Sequence, residues 1–150
     1  TARDVTERME LQRQLTHQAT HDELTSLPNR AAALAHGTEL LAARRGEDQV
    51  AAVLLDLDRF KTVNDLHGHS AGDALLARVA SEITSILPSG ALTARLGGDE
   101  FVVVCNHGDD AGRPERLADA VLNGFRDSFR FGKEEFPVTA SIGIAMLLIA

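Results

Sequence analysis

Residues 94–105, "ARLGGDEFVVVC", set two glycines and two carboxylates between apolar, β-prone flanks, 92–96 on one side and 101–105 on the other. The flanks predict two strands, and Gly97-Gly98 predicts the tight connection of a hairpin, because glycine adopts positive φ without steric cost. Asp99 and Glu100 then sit together at the hairpin tip. Two like charges so placed repel unless a cation or a partner holds them. An acidic turn that is merely solvated satisfies this stretch equally well.

The neighbouring segments supply the rest of a domain. Residues 49–57, "QVAAVLLDL", form a near-continuous apolar run, the pattern of a central strand buried on both faces. The run leads into "DLDRFKTVNDLHGHSAGD" (56–73), after which apolar residues at 75, 76, 79, 80, 83, 86 and 87 predict a helix over 74–87. Beyond the hairpin, Leu117, Val121, Leu122, Phe125 and Phe129 mark another amphipathic helix. Phe136, Val138, Ala140, Ile142 and Ile144 alternate as a strand, and the closing "IGIAMLLIA" (142–150) reads as buried. Upstream, 4–18 predicts an exposed or coiled-coil-like helix with a partial stripe of Val5, Met9, Leu11 and Leu15. "HDELTSLPNR" (21–30) is a loop, followed by a helix over 30–45 closed by Gly46. The order α-α-β-α-β-β-α-β predicts an α/β (α+β) sandwich, a mixed sheet flanked by helices.

Bulk properties narrow the function. A chain of 150 residues with 44% hydrophobic and 25% charged residues is of ordinary globular composition and fits one domain with a sizeable core. The net charge of −7 argues against a nucleic-acid scaffold but leaves open a metal-dependent site for a small anion. Cys105 is the only cysteine, so no intrachain disulfide forms, and its apolar strand predicts a packed thiol. No run is long enough to span a membrane and no signal peptide is evident, which predicts a cytoplasmic domain without direct membrane contact.

The chemistry centres on "LLDLDRF" (54–60). Asp56 and Asp58 end an apolar strand on the same face, and desolvating an unpaired carboxylate costs several kcal/mol unless it is used. With Asp56 beside the hairpin tip, Asp56, Asp99 and Glu100 offer oxygen ligands suited to Mg²⁺, which favours carboxylates together with substrate phosphates. This is not an EF-hand: in a loop begun at Asp56, the glycine position holds Lys61 and the twelfth holds His67. Nor is there a Walker-type loop, which leaves phosphates to the backbone near Arg59 and Phe60 and to Lys61. Asp58 is expected to orient the loop, and His67 and His69 to make structural hydrogen bonds rather than bind metal. Asp22 and Arg30 are expected to fix the lead-in loop.

"RLGGDEF", "DLDRFKTVNDLHGHSAGD" and "DELTSLPNR" together resemble the motifs of GGDEF-domain diguanylate cyclases, from about residue 20 to about residue 145. That resemblance implies a palm-like fold and condensation of two GTP into cyclic di-GMP with release of pyrophosphate, with two Mg²⁺ (or Mn²⁺) per GTP. It implies that Asp56, the Leu57 carbonyl, Asp99 and Glu100 hold metal, with Asp99 taking the proton of the 3′-hydroxyl. Asn64 and Asp73 match the guanine-reading pair, Lys61 matches a phosphate-contacting position beside the Phe60 backbone, and Gly97 and Gly98 let the nucleotide lie against the turn. A homodimer is implied, since each domain carries one GTP. The stretch before residue 21 is similar to the exit of a PAS sensor, making 1–20 a linker helix and 21–150 the catalytic domain. The full-length protein is then a bacterial signalling protein, open to membrane tethering.

Two departures from the family matter. The Arg-x-x-Asp pair of its inhibitory product site is replaced by "PSGA" (88–91), which predicts no such site. The chain also stops at Ala150, before the family's helix of phosphate-contacting basic residues, which implies an incomplete triphosphate site. The rival reading is therefore a GGDEF domain that binds GTP or cyclic di-GMP as a regulatory module without catalysis. A polymerase-like or mononucleotide cyclase domain shares the metal logic and is a third.

Overall fold

The computed structural model describes residues 1–108 and 110–147. Helix α1 (Ala2–Thr20) opens with a capping box between Thr1 and Asp4 and buries no residue of its own. Helix α2 (Arg30–Ala43) starts at Asn29, whose side chain accepts from the Ala32 N–H. There follow β1 (Gln49–Leu57), α3 (Phe60–His67), α4 (His69–Ser85), β2 (Leu92–Gly97), β3 (Glu100–Gly108) and α5 (Arg113–Asn123). The short strands β4 (Phe129–Phe131) and β5 (Glu134–Phe136) form a separate hairpin, and β6 (Ala140–Leu147) closes the main sheet.

The main sheet has the order β2-β3-β1-β6, and its described pairs are all antiparallel rather than mixed. Alternation along the strands divides the core in two. Ala33 of α2 packs with Val50, Ala52, Val102 and Val104 on the front face. Gly37 brings α2 close to the sheet, since a Cβ there would lie 3.5 Å from Leu147 and 3.7 Å from Val104. On the back face, Val53, Leu55, Leu57, Phe101, Val103 and Cys105 meet Leu75, Leu76, Val79 and Ile83 of α4 and Leu117 and Val121 of α5. Cys105 is the expected packed thiol, and its burial pushes the pKa up.

Several expectations are corrected. The helix expected over 74–87 is α4, which starts earlier, at His69, and the segment before it adds the unexpected α3, with Gly68 at φ 90° between the two. The helix expected to reach Phe129 ends at Asn123, and Phe129 lies in β4, turned towards β5 by Gly132 at φ 59°. The alternating run from Phe136 to Ile144 is broken between β5 and β6, where Thr139 O accepts from Asp58 N–H. The closing strand is not buried: β6 is an edge strand with Ile144 and Met146 exposed, and 148–150 lie outside the described residues. Central β1 is likewise not wholly buried, since Leu54 and Asp56 are exposed on the front face. Among the described residues no helix is long and apolar enough to cross a membrane.

Candidate functional site

The hairpin between β2 and β3 forms where it was expected, with Gly97 at φ 143° and Gly98 at φ 52°. Side chains other than glycine are strained at such angles. A bulge between Arg95 and Gly97 aligns Gly97 with Glu100. Arg95 holds the tip: its Nε and Nη2 donate to the Gly98 carbonyl at 3.0 and 2.8 Å, and its Nη1 donates to the Asp22 carboxylate at 3.0 and 3.1 Å. Asp22 also accepts from the Thr25 N–H at 2.9 Å and hydroxyl at 2.8 Å. Burial alone would raise the Asp22 pKa, but these hydrogen bonds and the Arg95 charge outweigh it and leave the pKa below its ordinary value. Asp22 thus fixes the lead-in loop as anticipated, whereas Arg30 makes no such contact among the described residues and borders a groove between α2 and the sheet.

Sequence reasoning missed Arg95. Its signal was weak but present: a single cation beside two turn glycines, in a chain with a separated Asp-x-x-Thr that can receive it.

The end of β1 is tied directly to this tip. Leu57 N–H donates to the Asp99 carbonyl at 3.2 Å, and Asp56 pairs in register with Glu100 on β3 and Ser141 on β6. A hydrogen bond shared with the Asp99 carboxyl, then burial and the charges of Asp99 and Asp58, raise the Asp56 pKa. Asp58 orients its surroundings, as expected, by accepting from the hydroxyls of Thr139 at 2.8 Å and Ser141 at 2.7 Å. Those bonds hold its pKa low.

Helices α3 and α4 carry the remaining candidates. Arg59 sits in the left-handed region at φ 58° as the N-cap of α3, followed by half-buried Phe60 and exposed Lys61. Asn64 projects onto α4 so closely that a Cβ at Gly72 would lie 1.9 Å from its Oδ1. Asp73 is the next residue and is exposed. Gly72 was also missed; a lone glycine inside a helical pattern was the available hint. His67 contacts Glu134 and stacks on Phe136 at 4.2 Å, while His69 is exposed, so the two histidines do not share a site.

Among the described residues no three carboxylate, histidine or cysteine side chains converge as a ready metal cage. Asp56 and Asp99 do converge, and the proximity of Asp99 that raises the Asp56 pKa is a crowding of negative charge that a cation would relieve. An all-oxygen pair fits Mg²⁺, which commonly takes one or two carboxylates and completes its shell with water and substrate phosphates. Glu100 lies beside them by strand register without closing a third position.

The sequence matches the family described as "Diguanylate cyclase, GGDEF domain" over residues 19–148. It is 34% identical over 146 residues to the signaling protein YkoW of Bacillus subtilis, covering 96% of this chain and 18% of that protein. It is 40% identical over 134 residues to the diguanylate cyclase TpbB of Pseudomonas aeruginosa, covering 88% of this chain and 31% of that protein. Among solved structures it resembles diguanylate cyclase SiaD in complex with its activator SiaC from Pseudomonas aeruginosa. That match has a TM-score of 0.79 at 30% identity and covers 99% of this chain and 57% of that one. The chain spans less than a third of the length of the two curated relatives, 18% and 31%.

Proposed function

The chain belongs to the GGDEF-domain diguanylate cyclase family, and from that membership we propose that it condenses two GTP molecules into cyclic di-GMP. The observation that carries this reading is the Asp56–Asp99 carboxylate pair, held in place by the backbone bond from Leu57 to Asp99. Asp56, Asp99 and the Leu57 carbonyl would hold Mg²⁺, with Glu100 facing the same phosphates. Bound Mg²⁺ neutralises the triphosphate and lowers the pKa of the attacking hydroxyl.

In each step the 3′-oxygen of one GTP bonds to the α-phosphorus of the other. The bond from that phosphorus to the β-phosphate oxygen breaks, pyrophosphate leaves, and Asp99 accepts the hydroxyl proton. The reciprocal step closes the ring and releases a second pyrophosphate. Asn64 and Asp73 read guanine; the Asp73 carboxylate suits the N1–H and N2–H₂ donors, a pair that adenine lacks. The first N–H groups of α3, with Phe60 and Lys61, receive phosphate oxygens.

Two copies must face each other, because each brings one nucleotide. Helix α1, with no buried residue, is suited to connect an upstream sensor to that pairing. The test is GTP turnover with Mg²⁺, products separated by chromatography, beside Asp99→Ala. Cyclic di-GMP from the first and not the second supports the cyclase. GTP binding without product from either favours a regulatory module, a reading that the two-carboxylate rather than three-carboxylate cluster keeps in view.

A further inference from the structure

The β4–β5 hairpin lies apart from the main sheet, yet it touches both helices that carry the guanine-reading candidates. Its register pairs Phe129 with Phe136 and Phe131 with Glu134, which puts these four side chains on one face. From that face Glu134 accepts from Nδ1 of His67, at the end of α3, since a carboxylate only accepts. Phe136 stacks on the same imidazole, with 4.2 Å between ring centres and 8° between planes. Phe129 meets Phe136 edge to face at 5.4 Å. On α4, Arg78 Cζ lies 5.6 Å from the centre of the Phe129 ring, and its Nη1 donates to the Ser128 carbonyl at 3.4 Å. A chain of contacts thus runs from α3 to α4 through the hairpin.

We propose that this hairpin is a clamp that sets α3 against α4, with His67 the positioning residue that holds Asn64 for recognition of guanine. The inference rests on the cyclase reading above and adds to it an element of base selection. Helix α3 has 8 residues, no side-chain cap and no fully buried residue. A helix so short does not hold its own conformation in water, so outside contacts must set its direction. Phe60 and Val63 fasten its first turn to the core. Its far end runs into Gly68 at φ 90°, and Leu66 beside it is 71% exposed. His67, one turn beyond Val63 on the same side, supplies the hold there. Asn64 lies between the two holds, with its Oδ1 pressed on Gly72 and next to Asp73. Release of His67 lets α3 pivot on Phe60 and Val63, which carries Asn64 out of line. A carboxamide N–H suits guanine O6, where adenine carries an amino group, and hydrogen bonds weaken steeply with misalignment. Displacing Asn64 therefore costs GTP more than ATP.

The experiment compares Glu134→Ala and Glu134→Gln with the parent chain. Glu134 is exposed, so neither change disturbs the core, and far-UV circular dichroism with thermal melts is the fold control. The glutamine carboxamide still bonds to the imidazole, and the alanine methyl does not. Competition binding uses the α,β-methylene analogues of GTP and ATP, which cannot release pyrophosphate. The GTP-to-ATP preference should fall at least fivefold in Glu134→Ala and return to within twofold of the parent in Glu134→Gln. A merely structural tie weakens both nucleotides alike. A preference unchanged in Glu134→Ala, or not restored in Glu134→Gln, therefore overturns the proposal. The side-chain amide NMR signal of Asn64, assigned with Asn64→Asp, gives a readout that needs no nucleotide. It should move in Glu134→Ala and return in Glu134→Gln, and an unmoved signal overturns the clamp. A parent with no preference for GTP sinks the base reading instead, and the Asn64 signal still decides whether the hairpin positions α3.

Discussion

Arg95 and Asp22 lie 73 residues apart in sequence, and the guanidinium Nη1 stands 3.0 and 3.1 Å from the two carboxylate oxygens. The same guanidinium grips the Gly98 carbonyl, so one side chain sets the hairpin tip against the lead-in loop. Arg95→Ala should cost about 1.5–3 kcal/mol of stability, the range for charge-assisted hydrogen bonds. Because Asp99 follows Gly98 directly, turnover should fall more than tenfold while KM for GTP changes little. Urea unfolding and steady-state kinetics check this. A proportional rise in KM would show that Arg95 serves substrate binding and not the placing of Asp99.

How much of this was legible depends on range. Local chemistry announced the hairpin, since Gly97 and Gly98 take positive φ where flanking apolar runs demand a turn. The apolar run 49–57 matches β1 residue for residue. Asp56 and Asp99 meet as expected because Asp56 lies near the end of β1 and Asp99 in the turn that leads into its partner strand β3. What escaped is set by tertiary partners. Nothing in the pattern of 56–73 forces two helices; Gly68 at φ 90° permits the break and packing of Phe60 and Val63 against the core fixes it. Arg95 found its partner across a loop that periodicity does not constrain. The exposure of β6 follows from its edge position, and an alternating pattern is the same at an edge as at a centre.

The Asp22 tie should be pH-dependent in a defined direction. Its pKa is lowered in the folded protein from 3.8, so the stabilisation is complete above 3.8 and is lost as pH falls through the lower folded value. The stability difference between parent and Asp22→Asn should therefore be constant from pH 7 to about pH 5, shrink below pH 4 and vanish at lower values still. Denaturant titrations across that range measure it. A difference that grows on acidification would mean that Asp22 is held protonated in the fold.

The carboxylate pair gives the opposite sign. Asp56 has its pKa raised by Asp99, so its contribution favours the fold below the unfolded value and is lost as pH rises through the folded one. At neutral pH without divalent cations, Asp56→Asn should stabilise the protein, by less than about 1 kcal/mol because exposed charges are screened. Millimolar Mg²⁺ with GTP should stabilise the parent and leave Asp56→Asn nearly unchanged. Thermal melts with and without the two ligands read both effects. Equal ligand stabilisation of the two proteins would remove Asp56 from the metal site.

Gly72 separates a structural role from a recognition role. Replacing a glycine within a helix by alanine ordinarily gains up to about 0.5–1 kcal/mol, and Gly72 lies in the first turn of α4. Here the new Cβ would lie 1.9 Å from Asn64 Oδ1 and 3.2 Å from Phe60 Cζ. The nearer atom is the far end of a rotatable side chain, so Asn64 swings away and the fold survives, with stability within about 1 kcal/mol of the parent. The loss should appear in recognition. Affinity for GTP falls by tenfold or more, while affinity for ATP, already weak, stays put, so the GTP-to-ATP preference narrows. Competition binding with the two nucleotides measures that ratio. An unchanged preference beside an intact fold would show that Asn64 packs α3 on α4 and does not read the base.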